Sequence, residues 1–354
     1  MQCRMERFCL IMRPQTTEDT MTDGKTARHA LVIGATGGIG GAIAARLLAG
    51  GWQVTALNRD PQAAARRAPR LAGVRWVAGD AMDAPSVARA AEGVSILVHG
   101  ANPPGYRNWK GLALPMLDAS IAAARAAGAR LMLPGTVYNY GPDAGAAIAE
   151  DAPQNPLTVK GAIRVAMERR LRESDVATLI LRAGDFFGPG AANSWFSQGL
   201  VTPGRPLKRV LYPGPHAVGH AWAYLPDIAE AAFRLFERPE TPARFESFHF
   251  AGHWLEPGIE MAGAIRRAAG RPDLPIRALP WWALRLAAPF NETLREMMEM
   301  RYLWRRPLRL VNDKLVSVLG AEPHTPLDAA VRATLAALGC LTAEATPEAA
   351  LRAA

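Results

Sequence analysis

The chain has 354 residues, 49% hydrophobic and 21% charged, an ordinary globular composition long enough for one large domain or two interleaved ones. Its formal charge of +9 comes from arginines spread along the chain, with no basic run or nucleic-acid motif, so no nucleic-acid partner is expected. The excess reads as a solvated surface bias that helps to draw in an anionic cofactor. Cys3, Cys9 and Cys340 lack metal-ligand spacing and are too few for a disulfide framework, which fits a reducing cytoplasm and no metal. Residues 1–28 are polar and irregular without the apolar core of a signal peptide, and Met21 is a candidate start. No apolar run reaches the roughly 18–20 residues of a membrane span, so no membrane partner is expected. The apolar stretch 281–290 is short and broken by Arg285, and is predicted to be a core or pocket-lining helix.

The first strand is predicted at 31–33, where Leu31, Val32 and Ile33 form an apolar run. Gly34, Gly37 and Gly40 follow at three-residue spacing, and Ile39, Ile43 and Leu47 begin a helical stripe. Strand, glycine turn and helix together make the context of a dinucleotide-binding fingerprint. One glycine permits the tight turn, one lets backbone N–H groups approach a pyrophosphate, and one lets helix and strand pack closely. Thr36, Gly38 and Ile39 share that loop, and the helix N-terminus turns a partial positive charge toward the phosphates.

Further strands are predicted at 52–57, 75–78, 94–99, 130–133 and 177–181, with alanine-rich helices such as 114–127 and 162–172 between them. The alternation predicts an α/β fold, a doubly wound parallel sheet covered on both faces. The pattern loosens after 184. A helix at 227–237 and a strand at 247–251 return to the sheet, while Gly, Pro and aromatic segments around them predict a smaller C-terminal substrate lobe. The expected division is an extension at 1–28, a cofactor domain at 29–184 and a lobe at 185–354. Thr325 and Pro326 predict the cap and first position of a last helix running to about 338.

The end of the second strand bears on the cofactor. An acid about 20 residues past the glycines would bond the ribose 2′-OH of NAD, but this chain has Asn58 and Arg59 there. Asn58 removes a repelling carboxylate and Arg59 offers a fork of donors to a 2′-phosphate, which predicts NADP ahead of NAD. Asp60, one residue on, is predicted to point away.

Taken together these segments resemble an extended or atypical short-chain dehydrogenase/reductase, of the NAD-dependent epimerase/dehydratase family, from about residue 30 to 338. The resemblance implies that Asp80 and Ala81 lie at the adenine and that Gly100, Ala101 and Asn102 pass beside the nicotinamide ribose. It places Ala183 and Asp185 on the exit of the sixth strand toward substrate, and Tyr224 at the opening of a late helix. It also implies Ser or Thr on the fifth-strand exit, a place held by Thr136, then a Tyr and a Lys four residues apart on the next helix. That tyrosine is missing: Pro156 stands four residues before Lys160, and a register set on Glu168 puts Lys160 and Arg164 in the Tyr and Lys places.

Both registers leave Lys160 and Arg164 one turn apart, able to face the cofactor together. The proton source is then Tyr140 or Lys160, with Tyr138, His220 and Tyr224 as further candidates. Asp185 stands where enzymes acting on nucleotide sugars often carry Asn, and its carboxylate would repel a substrate diphosphate. Trp195 and other rings crowd the lobe and suit an apolar carbonyl compound. The expected function is NADP-dependent hydride transfer to or from a carbonyl or alcohol carbon of a small molecule. A sugar epimerase or dehydratase that keeps its cofactor, and an NADP-sensing regulator without chemistry, are the alternatives. A homodimer through paired helices is common in such families.

Overall fold

A computed structural model describes residues 28–103, 108–238 and 243–341. Cys3, Cys9, Met21 and the rest of the extension before Arg28 lie outside the described residues. Seven strands make the central sheet: β1 (His29–Ile33), β2 (Gln53–Asn58), β3 (Arg75–Ala78), β4 (Ile96–His99), β5 (Arg130–Thr136), β6 (Thr178–Ala183) and β7 (Phe245–Phe250). All pair in parallel, in the order β7-β6-β5-β4-β1-β2-β3. The strand order reverses between β1 and β4, the switch point where an open α/β sheet forms its binding crevice.

The helices of this half are α1 (Gly38–Ala49), α2 (Pro61–Arg67), α3 (Ala84–Ala90), α4 (Trp109–Ala127), α5 (Val159–Glu173) and α6 (Leu225–Phe236). Because side chains alternate along a strand, Ala30 and Val32 face one layer while Leu31 and Ile33 face the other. The first layer packs on Ile39, Ile43 and Leu47 of α1 and Ile228 and Leu235 of α6. The second packs on Val87 of α3, Leu117 of α4 and Ile163 and Met167 of α5. Burial on both faces explains why these strands read as continuous apolar runs. β5 extends past its predicted end at Leu133, because Pro134, Gly135 and Thr136 stay in register with Leu181, Arg182 and Ala183 of β6.

The remaining elements form a third core and carry α7 (Glu260–Ala268), α8 (Trp281–Ala287), α9 (Glu292–Glu299), α10 (Asp313–Leu319) and α11 (Leu327–Ala337). Phe187, Phe196, Trp222, Met261, Ile265 and Val331 are buried in it. Two expectations are corrected here. Thr325 does not cap α11: its hydroxyl and amide both bond the Asp227 carboxylate, at 2.6 and 2.7 Å, and Pro326 stands at the cap. The stretch from Trp281 is only partly core, since Trp281 is buried while Trp282, Leu286 and Phe290 are 73%, 69% and 91% exposed. No helix among the described residues is long and apolar enough to cross a membrane.

Two histidines under the sheet carry a stability consequence. Burial first, and then the Arg164 charge, hold His99 at a pKa of about 3; burial and Arg182 do the same for His249. Unfolded imidazoles take a proton near pH 6.5, so between that pH and 3 the unfolded chain binds more protons. Stability is full above about pH 6.5 and falls as pH drops, by about 2 kcal/mol per histidine at pH 5. Melting curves should show a fall in Tm from pH 7 to pH 5 that is shallower in His249→Gln. An equal slope in the variant would contradict it.

Candidate active site

The glycine turn after β1 is built by backbone contact. Gly34 has φ +89°, and a Cβ there would sit 2.5 Å from the carbonyl carbon of Gly100. A Cβ on Gly40 would lie 2.5 Å from the Gly34 oxygen. The Gly37 amide donates to that same oxygen at 2.9 Å, and Gly37 stands at the cap of α1, whose first turn carries no acid. The helix therefore presents free amide donors and its positive end to the cleft above β1 and β4.

That cleft has a volume of about 620 Å³, within the range of small-molecule and cofactor sites. Gly34, Thr36, Gly37, Gly38 and Ile39 line its floor. Asn58 and Arg59 line it beyond β2, Asp80 and Ala81 beyond β3, and Gly100, Ala101 and Asn102 beyond β4. Asp60 is spent elsewhere: its carboxylate caps α2 by accepting from the Ala63 amide at 2.9 Å. Asn58 in turn accepts from the Asp60 amide at 3.0 Å, so the side chain that follows β2 in the cleft is neutral and the next is a guanidinium.

The other end of the cleft gathers Thr136, Tyr138, Lys160, Arg164, Trp109 and Asp185. Thr136 ends β5 and its hydroxyl accepts from the Tyr138 amide at 3.3 Å, which turns the chain so that Tyr138, half-buried, lines the cleft. Arg164 donates to the Asn102 side chain at 2.8 Å and the Pro134 carbonyl at 3.3 Å, tying the exit of β4 to β5. Lys160, one turn earlier on α5, pairs with Glu296 of α9 and lies 5.5 Å from the centre of the Trp109 ring. Thr293, Glu296, Met297 and Met300 bring the lobe over this end, and Trp195 stands beside them.

Several predicted site residues are placed elsewhere. Tyr140 is fully buried and outside the lining, and its hydroxyl meets His249 Nε2 at 2.8 Å. The His249 Nδ1 proton goes to the Ile148 carbonyl at 3.1 Å, so Nε2 is the accepting nitrogen, shared by the Tyr140 hydroxyl and an Arg182 N–H at 3.1 Å, and the Tyr140 hydroxyl is held inward. Burial raises the Tyr140 phenol far above its ordinary range. Ala183 is sealed inside the sheet, and Gly40 lies behind the loop rather than on the cleft surface. Tyr224 packs 5.2 Å from Phe187 in the lobe core. His220 stands behind Asp185, bonded to its carboxylate at 2.8 Å and stacked on Trp304 at 3.9 Å. Trp109 and the α9 residues were not singled out from the sequence. Nothing in their local pattern distinguishes them from core or surface positions.

Residues 34–193 match the family model described as NAD(P)H-binding. The chain is 28% identical over 326 residues to a 3-diazoavenalumate denitrifying reductase from a Streptomyces species, covering 84% of this chain and 96% of that one. Its fold resembles the UDP-glucose 4-epimerase of Bifidobacterium longum, solved with NAD+ and UDP, at TM-score 0.66 and 17% identity over 87% of this chain and 97% of that one. It also resembles the UDP-glucuronic acid 4-epimerase of Bacillus cereus, solved with UDP-glucuronic acid and NAD, at TM-score 0.67 and 14% identity, covering 88% and 98%. Backbone contact at Gly34 and Gly40 holds the loop and α1 close to the strand ends, and a Cβ at either would push them apart and shift the amides that a pyrophosphate would meet. Gly40→Ala should weaken NADPH binding by about tenfold or more in a fluorescence titration, with the circular dichroism spectrum retained. Unchanged affinity would contradict this packing argument.

Proposed function

We propose that the chain is an NADP-dependent oxidoreductase whose chemistry takes place at the Thr136–Tyr138–Lys160 end of the cleft. The observation that carries this reading is that two hydroxyls and an ammonium converge where the glycine-loop cleft opens toward the lobe. NADPH, when bound, supplies the hydride. Thr136 hydrogen-bonds the oxygen of a carbonyl substrate, and the Tyr138 phenol delivers the proton that the oxygen takes up as the carbon is reduced. Arg164 occupies the lysine place of the register set by Glu168, and with Asn102 it holds the ribose side of the cofactor. Lys160 then stands in the tyrosine place, facing the substrate.

Arg59 meets the 2′-phosphate of NADP in this reading. Its support is the neutral Asn58 beside it and the engagement of Asp60 in capping α2. Arg59→Glu should raise the KM for NADPH about tenfold or more while changing that for NADH little, because a charge-assisted contact becomes a repulsion. Equal effects on both coenzymes would remove Arg59 from the phosphate site.

One feature favours a second electrophile. The tyrosine of the family register is absent, and a reductive replacement of a leaving group needs no proton donor. The Streptomyces relative is named for removing nitrogen from a diazo compound. Where the diazo group reacts as an aryl diazonium cation, hydride bonds to the ring carbon and the C–N electron pair departs with N2, so atoms and charge balance without any acid from the protein. A nucleotide sugar is disfavoured, because Asp185 brings a carboxylate to the cleft wall where a second diphosphate would lie. Tyr138→Phe separates the two electrophiles. It should lower kcat by about a hundredfold on a carbonyl substrate and leave a diazo substrate untouched. Tyr140→Phe should leave turnover intact with either substrate. If Tyr140→Phe alone abolishes turnover, the placement of the chemistry is wrong.

A further inference from the structure

Helix α9 lies against the reacting end of the cleft through carboxylates. Glu292 accepts from the Asn108 amide at the start of α4, at 3.0 Å, and Glu299 accepts from the Val159 amide at the start of α5, at 3.2 Å. Between them Glu296 pairs with the Lys160 ammonium. Positions 292, 296 and 299 are spaced four and three apart, so one helix face supplies all three contacts. No residue of α9 is fully buried; Leu294, Met297 and Met298 are half-buried, and Met298 packs against the lobe core. Of the α9 residues that line the cleft, Thr293, Glu296 and Met297, only Glu296 is charged.

A carboxylate on the lysine at the reacting end has the chemistry of a bound organic acid. The side chains of Lys160 and Glu296 are 11% and 17% exposed, so the ammonium is largely desolvated and losing the Glu296 carboxylate without replacement is costly. A second carboxylate conserves the charge balance and displaces Glu296 at little cost. A neutral ligand has no such exchange to offer. Trp109 lies 5.5 Å from the ammonium, and Trp195, Met297 and Met300 line the same cleft, surfaces that take a flat apolar body.

We propose that Lys160 is the receptor for the carboxylate of an aromatic acid, and that Glu296 occupies this receptor until the substrate displaces it. The inference rests on the cleft being the site of hydride transfer and adds to it the class of substrate. Glu296 is then a specificity gate: it admits anionic aromatic compounds and holds α9 closed when none is bound.

The test uses the full chain saturated with NADP+ and titrated calorimetrically with benzoate, cinnamate and their methyl esters. Wild type should bind at least one of the acids more tightly than its ester. Glu296→Gln, which keeps shape and removes the competing charge, should bind that acid about three- to tenfold more tightly and leave ester affinity unchanged. Lys160→Met should erase the preference for the acid. If acid and ester bind wild type alike, if neither acid binds, or if Glu296→Gln weakens acid binding, the proposal is overturned. In the last case Glu296 is a structural latch only. NADP+ affinity, measured in a separate titration, tells a failure of this proposal from a failure of the cofactor reading.

Discussion

The site depends on a close approach between backbones, where the turn after β1 meets the start of α1 and the exit of β4. Gly34, Gly40 and Gly100 make that contact because none carries a Cβ. With the helix this near the strand end, its first amides point into the crevice at the switch of strand order rather than over it. The cleft, its charge and its cofactor all follow from that approach. A side chain at Gly34 would be strained by φ as well as by space, so the turn has no cheap substitute.

Behind the cleft a sealed polar network fixes the elements that present the reacting groups. Arg182 of β6, fully buried, bonds Glu168 of α5 at 2.7 and 3.0 Å, and Gln154 bridges Glu168 to Asn139. His249 of β7 accepts from Tyr140 and meets Arg182 at 3.1 Å. Losing one partner of a buried ion pair of this kind costs about 3–5 kcal/mol, since the other charge stays behind unpaired. The network thereby sets the rotation of α5, and that rotation turns Lys160 and Arg164 to the cleft. Tyr140 belongs to this framework, which is why a tyrosine in a promising place by sequence has no access to substrate.

The lobe completes the site with groups that the Rossmann half lacks. Asp185 and His220, with Trp304 stacked beneath, form the wall between cleft and lobe core. Helix α9 contributes a carboxylate and the Met297 thioether from about 130 residues beyond α5, and Met300 follows just after it. Apolar packing at α11 anchors one end of the lobe, while α9 meets the starts of α4 and α5 through the Glu292 and Glu299 carboxylates and the lobe core through Met298.

Much of this was legible in the residues themselves. Apolar runs broken by turns locate parallel strands because both faces of such a sheet are buried, and glycines spaced by three mark the loop because no other residue fits a positive φ and a backbone contact together. The place of Asn58 and Arg59 at the cleft could also be read directly, since the end of β2 opens onto it by topology alone. What sequence left open was decided by packing across long separations. Tyr138 and Tyr140 differ by two positions in one irregular turn, and only the burial of His249 and Arg182 beneath it sends the second inward. Lys160 could sit in either of two registers by sequence, and its place beside Trp109 and Glu296 came only with the packing of α5 and α9. Glu296 carries no local mark of its place in the cleft, because its role depends on an ammonium that the chain meets only after the lobe has folded back over α5.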